Sequence, residues 1–209
     1  MSAEHVQGSE AWKQARLGKA TASRFADIMT NGRGGNPSKV AETYMLDLLS
    51  EIITGKPSDE INSKYLEWGN RHEASARSAY CWDKGVEVSQ VGFVNHPTIK
   101  RCGGSPDSLV DEDGILEIKC PYNTTNHLRT LLSYEVPSEY QWQVQGNLWV
   151  TQRKWCDFIS YDPRFQFGVD HVVIRVERDE LLIEELEDRV VRFLQQLEVK
   201  LAKIQKRVA

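Results

Sequence analysis

Apolar and polar positions along the chain repeat with periods that outline most of its elements. The clearest stretch is the last thirty residues, where Leu186, Val190, Phe193, Leu197, Leu201 and Ile204 recur at helical spacing. Asp179, Glu180, Glu184 and Glu185 crowd the start of this segment and Lys200, Lys203, Lys206 and Arg207 its end, the polarity that suits a helix dipole. A second amphipathic helix is predicted over 39–54, with Val40, Tyr44, Leu48 and Ile52 on one stripe. A third runs over 63–83 and stops near Gly85, and a short one over 21–29 has a Thr or Ser cap. Apolar runs predict strands over 86–95, 109–111, 115–120, 155–161 and 171–176, and residues 138–151 read as a helix. Residues 31–38, rich in Gly, Asn and Pro, form a loop that lacks the Gly-Lys-Ser/Thr ending of a nucleotide-binding loop.

Neither a repeat nor a long linker interrupts this pattern, so 1–209 is expected to be one domain, with 1–9 as a loose tail. At 209 residues, 40% hydrophobic and 27% charged, the chain can bury a sizeable core, which excludes a disordered or collagen-like protein. No run of about eighteen apolar residues is present, so no membrane span is expected. The first residues lack the apolar region of a secretory signal, and Cys81, Cys102, Cys120 and Cys156 show no CxxC pair or zinc spacing. These features together predict reduced thiols in a cytosolic protein. His72, His96, His127 and His171 likewise lack metal-ligand spacing and read as structural or surface residues. The net charge of -4 is unevenly distributed. Residues 12–39 carry six bases against Asp27 alone, a net of +5, so the remainder sums to -9. Such asymmetry suits a protein that takes a polyanion into one region and keeps an acidic exterior.

The candidate chemistry lies in Ser105-Pro106-Asp107 followed ten residues later by Glu117-Ile118-Lys119. On a strand, Glu117 and Lys119 share a face and Ile118 takes the other. A two-residue loop at 113–114 would turn Asp107 away from that face, whereas a three-residue loop at 112–114, with Gly114 left-handed, brings it round, so the three-residue loop or a bulge is expected. Two carboxylates beside a lysine suit a hard cation with oxygen ligands, helped by the Ile118 carbonyl, and an ordinary surface Glu–Lys pair fits the same spacing. Glu73 could add a third carboxylate or pair with Arg77 one helical turn on. Tyr140, Gln143 and Asn147 form an uncharged polar stripe, either facing solvent or contacting phosphate and sugar. Arg16 and Ser23 flank the start of a helix in the basic segment, a ready phosphate pocket or a pair of surface residues. Trp12 is either a core residue or a stacking platform.

Beyond the hairpin, an ordered set of short motifs covers about residues 9–180. It comprises Ala11-Trp12, Arg16-Leu17-Gly18, Thr21-Ala22-Ser23, Trp68-Gly69 with Glu73, Ser105-Pro106-Asp107, 116–121, Gln143-Val144-Gln145, 148–151 and Tyr161-Asp162-Pro163. In this set the chain resembles the phage-lambda-type exonucleases, the YqaJ-like viral recombinases of the PD-(D/E)xK nuclease superfamily. The resemblance implies an α/β (α+β) fold, with a central mixed sheet flanked by helices and a long C-terminal helix. It implies a Mg²⁺-dependent exonuclease that degrades one strand of duplex DNA from the 5′ end to mononucleotides and leaves a 3′ overhang. Two Mg²⁺ ions are implied, with Mn²⁺ as a substitute. So are a ring-shaped homotrimer acting on double-stranded DNA ends, a single-strand annealing partner, and a phage or prophage origin in the cytoplasm of a bacterial host. Carried over by position, Asp107, Glu117, the Ile118 carbonyl and Glu73 form the metal centre and Lys119 is the catalytic lysine. Arg16, Ser23 and Ser105 hold the 5′-phosphate, Gln143 and Tyr140 lie beside the scissile strand, and Trp12 contacts DNA. The Gly-rich loop at 31–38 is shorter than the family pattern and could alter grip on the DNA end.

Overall fold

A computed structural model of the chain describes residues 7–32, 37–58 and 64–207. Residues 33–36 of the Gly-rich segment and residues 1–6 of the expected tail lie outside the described residues. The rest of that tail is not loose, because Gln7 donates to the Pro106 carbonyl at 3.0 Å and Ser9 caps the first helix.

In chain order the elements are α1 (Glu10–Arg16), β1 (Ala20–Thr21), a 3₁₀ turn (Ala22–Arg24), α2 (Phe25–Met29), α3 (Lys39–Thr54) and α4 (Lys64–Lys84). Next come β2 (Val88–Ser89), β3 (Val94–Asn95), β4 (Cys102–Gly104), β5 (Ser108–Val110), β6 (Gly114–Lys119) and α5 (Thr124–Ser133). A second 3₁₀ turn (Ser138–Tyr140), α6 (Gln141–Thr151), β7 (Trp155–Tyr161), β8 (His171–Glu177) and α7 (Glu180–Gln205) complete the described chain.

The main sheet has the order β2-β5-β6-β7-β8, with β6 and β7 parallel and its other neighbours antiparallel. A smaller sheet has the order β1-β4-β3, with β1 parallel to β4. The parallel β6–β7 pair requires a crossover, which α5 and α6 supply. Alternation along β6 sends Leu116 and Ile118 to one face of the sheet, against Ala76 and Tyr80 of α4. Ile115 goes to the other face, against Val144 and Leu148 of α6. The far side of α6 presents Trp149 and Val150 to a third cluster, shared with α2, α3 and α7.

Four expectations need correction. The strand expected over 86–95 is two short strands in different sheets, because the chain leaves the main sheet after Ser89 and joins the small one at Val94. Val40 and Ile204, placed on apolar stripes, are exposed; the buried face of α3 is Ala41, Tyr44, Met45, Leu48 and Leu49. The hairpin loop has three residues but spans 111–113, since Val110 pairs with Gly114. Its left-handed residue is Asp111, at φ 45°, rather than Gly114. Gly114 serves close approach instead, because a Cβ there would lie 2.1 Å from the Trp155 ring.

Candidate active site

The β5–β6 register pairs Ser108 with Leu116, and Asp107 continues it by donating its N–H to the Leu116 carbonyl at 3.1 Å. The shifted loop keeps the parity of the expected one, so Asp107, Glu117 and Lys119 all reach the α6 side. Glu117 is 1% exposed, and its carboxylate is almost fully engaged. Oε1 accepts from Lys119 Nζ at 2.8 Å and from the Gln143 amide; Oε2 accepts from Asn147 Nδ2 at 3.0 Å. Lys119 also donates to Gln143 Oε1 at 3.2 Å and lies 4.8 Å from the centre of the Tyr140 ring. Gln143 and Asn147 sit one turn apart on α6, so the helix presses an amide pair onto the acid. The stripe read as solvent-facing or DNA-contacting thus turns inward at Asn147, which is buried.

Past the end of β5, the carboxylate of Asp107 takes the place of a strand partner, and its Oδ2 accepts from the Ile118 N–H at 2.6 Å. In an extended strand a residue's N–H and C=O point to the same edge, so the Ile118 carbonyl is directed toward Asp107 as well. Burial, then the Glu117 carboxylate, push the Asp107 carboxyl well above the usual aspartate range; Glu73 adds to this and Lys119 opposes it. Burial disfavours the Lys119 ammonium, but Glu117 and Asp107 outweigh it and hold the group above the ordinary lysine range. Glu73 forms the ion pair with Arg77 that its spacing allows, and still borders the same cleft. Arg77 also donates to Ser108 Oγ at 3.0 Å, which fastens α4 to the strand that begins beside Asp107.

The opposite wall comes from the N-terminal segment. Trp12 Nε1 donates to Ser105 Oγ at 3.0 Å, and the Arg16 guanidinium lies 4.0 Å from the centre of the Trp12 ring. Ser23 Oγ lies 3.3 Å from Thr21 Oγ1. Of the candidate catalytic, metal-binding and DNA-binding residues, all but Tyr140 border one cleft of about 340 Å³. Tyr140 borders a second cavity of about 350 Å³, and Lys119 reaches both. Asn147 and Arg77 were legible only as stripe and ion-pair members, and Gln7, which also borders the cleft, carries no motif or period. Among the described residues, no three or more His, Cys, Asp or Glu side chains are gathered as a metal site. The candidate donors are two carboxylates and a backbone carbonyl, with Glu73 held by Arg77.

Two acids and a lysine at the end of a mixed-sheet hairpin, sharing a cleft with Arg16 and the hydroxyls of Ser23 and Ser105, belong to the nuclease class. Residues 11–154 match the YqaJ-like viral recombinase domain, and the chain belongs to that family. The crystal structure of an alkaline exonuclease, LHK-Exo, from Laribacter hongkongensis is 40% identical, covers 96% of this chain and 98% of its own, and superposes with a TM-score of 0.88. That enzyme has also been solved in complex with dAMP. A phage-related exonuclease from Haemophilus somnus 129PT shares the fold at a TM-score of 0.72 and 14% identity, over 89% of this chain and 96% of that one. Protein R354 of Acanthamoeba polyphaga mimivirus is 26% identical over 166 residues, 74% of this chain, and the match spans 29% of R354's length. No described helix is long and apolar enough to cross a membrane.

Proposed function

We propose that this nuclease degrades one strand of double-stranded DNA from the 5′ end, releasing mononucleotides and leaving a 3′ overhang for recombination by strand annealing. The observation that carries the reading is the single cleft bordered by Asp107, Glu117 and Lys119, with Ser105 on the same segment as Asp107, on one wall and by Arg16 and Ser23 on the other. One wall supplies hydrolytic chemistry and the other suits a terminal phosphate. The similar L. hongkongensis exonuclease, solved with a deoxynucleoside monophosphate, supports the mononucleotide product.

A divalent cation fits the donor set on its chemistry, two carboxylates and a carbonyl, and on Asp107, a carboxyl raised by its burial and then by the acids Glu117 and Glu73, whose charge a cation would offset. Asp107, Glu117 and the Ile118 carbonyl would hold it, with Glu73 contributing once released from Arg77. When bound, two Mg²⁺ ions, or Mn²⁺ in their place, supply positive charge at the scissile phosphate and ease deprotonation of the attacking water. The chain's own residues do the rest. Gln143 and Asn147 hold Glu117 in one orientation. Lys119, kept as an ammonium by its acidic neighbours, orients the water and the phosphate oxygens. Arg16, with Ser23 and Ser105, grips the 5′-phosphate, and Trp12 offers the first base a ring to stack on. Tyr140 flanks the strand on the far side of Lys119. By resemblance, a homotrimeric ring surrounds the duplex, a single-strand annealing protein receives the overhang, and the work takes place in the cytoplasm of a bacterial host.

The test is digestion of a linear duplex labelled separately at its 5′-phosphoryl, 5′-hydroxyl and 3′ ends, with Mg²⁺ and with chelator. Metal-dependent release of mononucleotides from the 5′-phosphoryl label first is expected. Cutting of covalently closed circular DNA would show an endonuclease instead.

A further inference from the structure

We infer that an aromatic and cationic cluster at the mouth of the cleft is a stacking platform for single-stranded DNA, used by the uncut strand as its bases lose their partners. This rests on the reading of the protein as a duplex-resecting exonuclease. Tyr122 lies three residues after Lys119, in the loop that leaves the active-site hairpin. Its ring meets Tyr65 edge-on at 5.1 Å and Trp68 edge-on at 5.9 Å, both from the first turns of α4. Tyr65 and Tyr122 are 59% and 39% exposed, so large aromatic surfaces remain open beside a cleft that Tyr65 itself borders.

Two cations are woven into the cluster. Lys64 Nζ lies 5.4 Å from the Tyr65 ring and 5.0 Å from the Tyr122 ring, and the Arg164 guanidinium lies 4.5 Å from the Trp68 ring. Arg164 also donates to both carboxylate oxygens of Asp162, at 2.7 Å, and to the carbonyls of Pro121 and Tyr122, at 3.1 and 3.0 Å, so it holds the loop in place while Lys64 presents its charge to solvent. Trp68 also packs on His72, with ring centres 4.1 Å apart, and the buried Trp68 Nε1 and His72 Nε2 have no hydrogen-bond partner among the described residues. Open rings beside an exposed lysine match what single strands bind without regard to sequence: π-faces for the nucleobases and positive charge for the backbone. Position selects the uncut strand. The cleft takes the cleaved strand's end between its two walls, and every cut unpairs one base of the complement at the same mouth.

The experiment measures binding of labelled 5′-phosphoryl duplexes by fluorescence anisotropy in chelator at fixed salt, blunt or with a 3′ overhang of about ten nucleotides. Wild type is expected to prefer the overhang by about tenfold, the scale of one base–aromatic stack, and Tyr122→Ala to reduce this to within about twofold. Tyr122→Phe should keep the preference, because the ring remains. Tyr65→Ala, at a more exposed ring, should lower it too and serves if Tyr122→Ala fails to fold. A wild type indifferent to the overhang, or alanine variants that keep the preference or weaken both duplexes equally, would overturn the platform. The overhang preference without metal-dependent 5′ degradation would refute the parent reading and leave the platform standing.

Discussion

Asp107 is a buried carboxyl beside two other acids. Burial, then Glu117 and Glu73, raise its carboxyl, so the folded protein keeps this proton to higher pH than the unfolded chain, where an aspartate titrates near about 3.9. Above that pH the unfolded state binds fewer protons, and stability falls as pH rises through the folded value. Metal-free Asp107→Asn is therefore predicted to melt higher than wild type at neutral pH, with the gap closing toward acid; thermal melts in chelator from about pH 4 to 8 check this. Added Mg²⁺ should raise the wild-type midpoint and leave the variant's nearly unmoved. Lys119 pairs with a Glu117 that has almost no access to water. Lys119→Ala is expected to lower Mg²⁺-dependent nucleotide release by roughly a hundredfold or more. It should also cost on the order of 3 kcal/mol, by stranding a buried acid. Adding Glu117→Gln should restore much of the melting temperature and none of the activity. Full activity in Lys119→Ala would remove the lysine from the chemistry.

At the scale of elements, the site depends on how closely β4 runs beneath α6. A Cβ on Gly104 would lie 2.3 Å from Asn147 Oδ1, the amide whose nitrogen holds Glu117. Gly104→Ala is predicted to displace that amide and cut nuclease activity at least about tenfold, at a stability cost of roughly 1–3 kcal/mol. Wild-type kinetics in this variant would show that Asn147 does not position Glu117. The same strand illustrates what pattern reading misses. Cys102-Gly103-Gly104 has no apolar run, and its glycines are where Phe93 and Asn147 come close. Helix α5 escaped notice because its inward face is polar: His127 and Thr130 are buried, while Leu128 and Leu132 are exposed. His127 sits between Ser160 Oγ, at 2.8 Å, and the Val169 carbonyl, at 2.9 Å, a pairing of distant segments that no local period signals. By contrast α3, α4, β7 and α7 follow the sequence reading closely, since each buries an apolar face or run.

For the whole molecule, α6 joins the two halves: Val144 and Leu148 pack on the main sheet, and Trp149 and Val150 pack with α2, α3 and α7. A core shared in this way is expected to melt in one cooperative transition, as one domain; two separate calorimetric transitions would contradict it. The uneven charge belongs to this scale as well. The basic segment 12–39 supplies the Arg16 side of the cleft, while the chain as a whole is net -4. Arg16→Ala is predicted to erase the preference for 5′-phosphoryl over 5′-hydroxyl ends, seen as equal digestion rates on the two substrates. A preference that survives would place the phosphate elsewhere.

Sequence alone determined the long helices, the acid–lysine strand, the shared face of Glu117 and Lys119, and the ordered motifs that mark the family. All of these arise from neighbours a few residues apart or from side-chain alternation. Tertiary structure decided the exact hairpin register, the inward turn of Asn147, the Trp12–Ser105 link across the cleft and the ring cluster at its mouth. These depend on contacts between segments far apart in the chain, where packing rather than local period selects the partner.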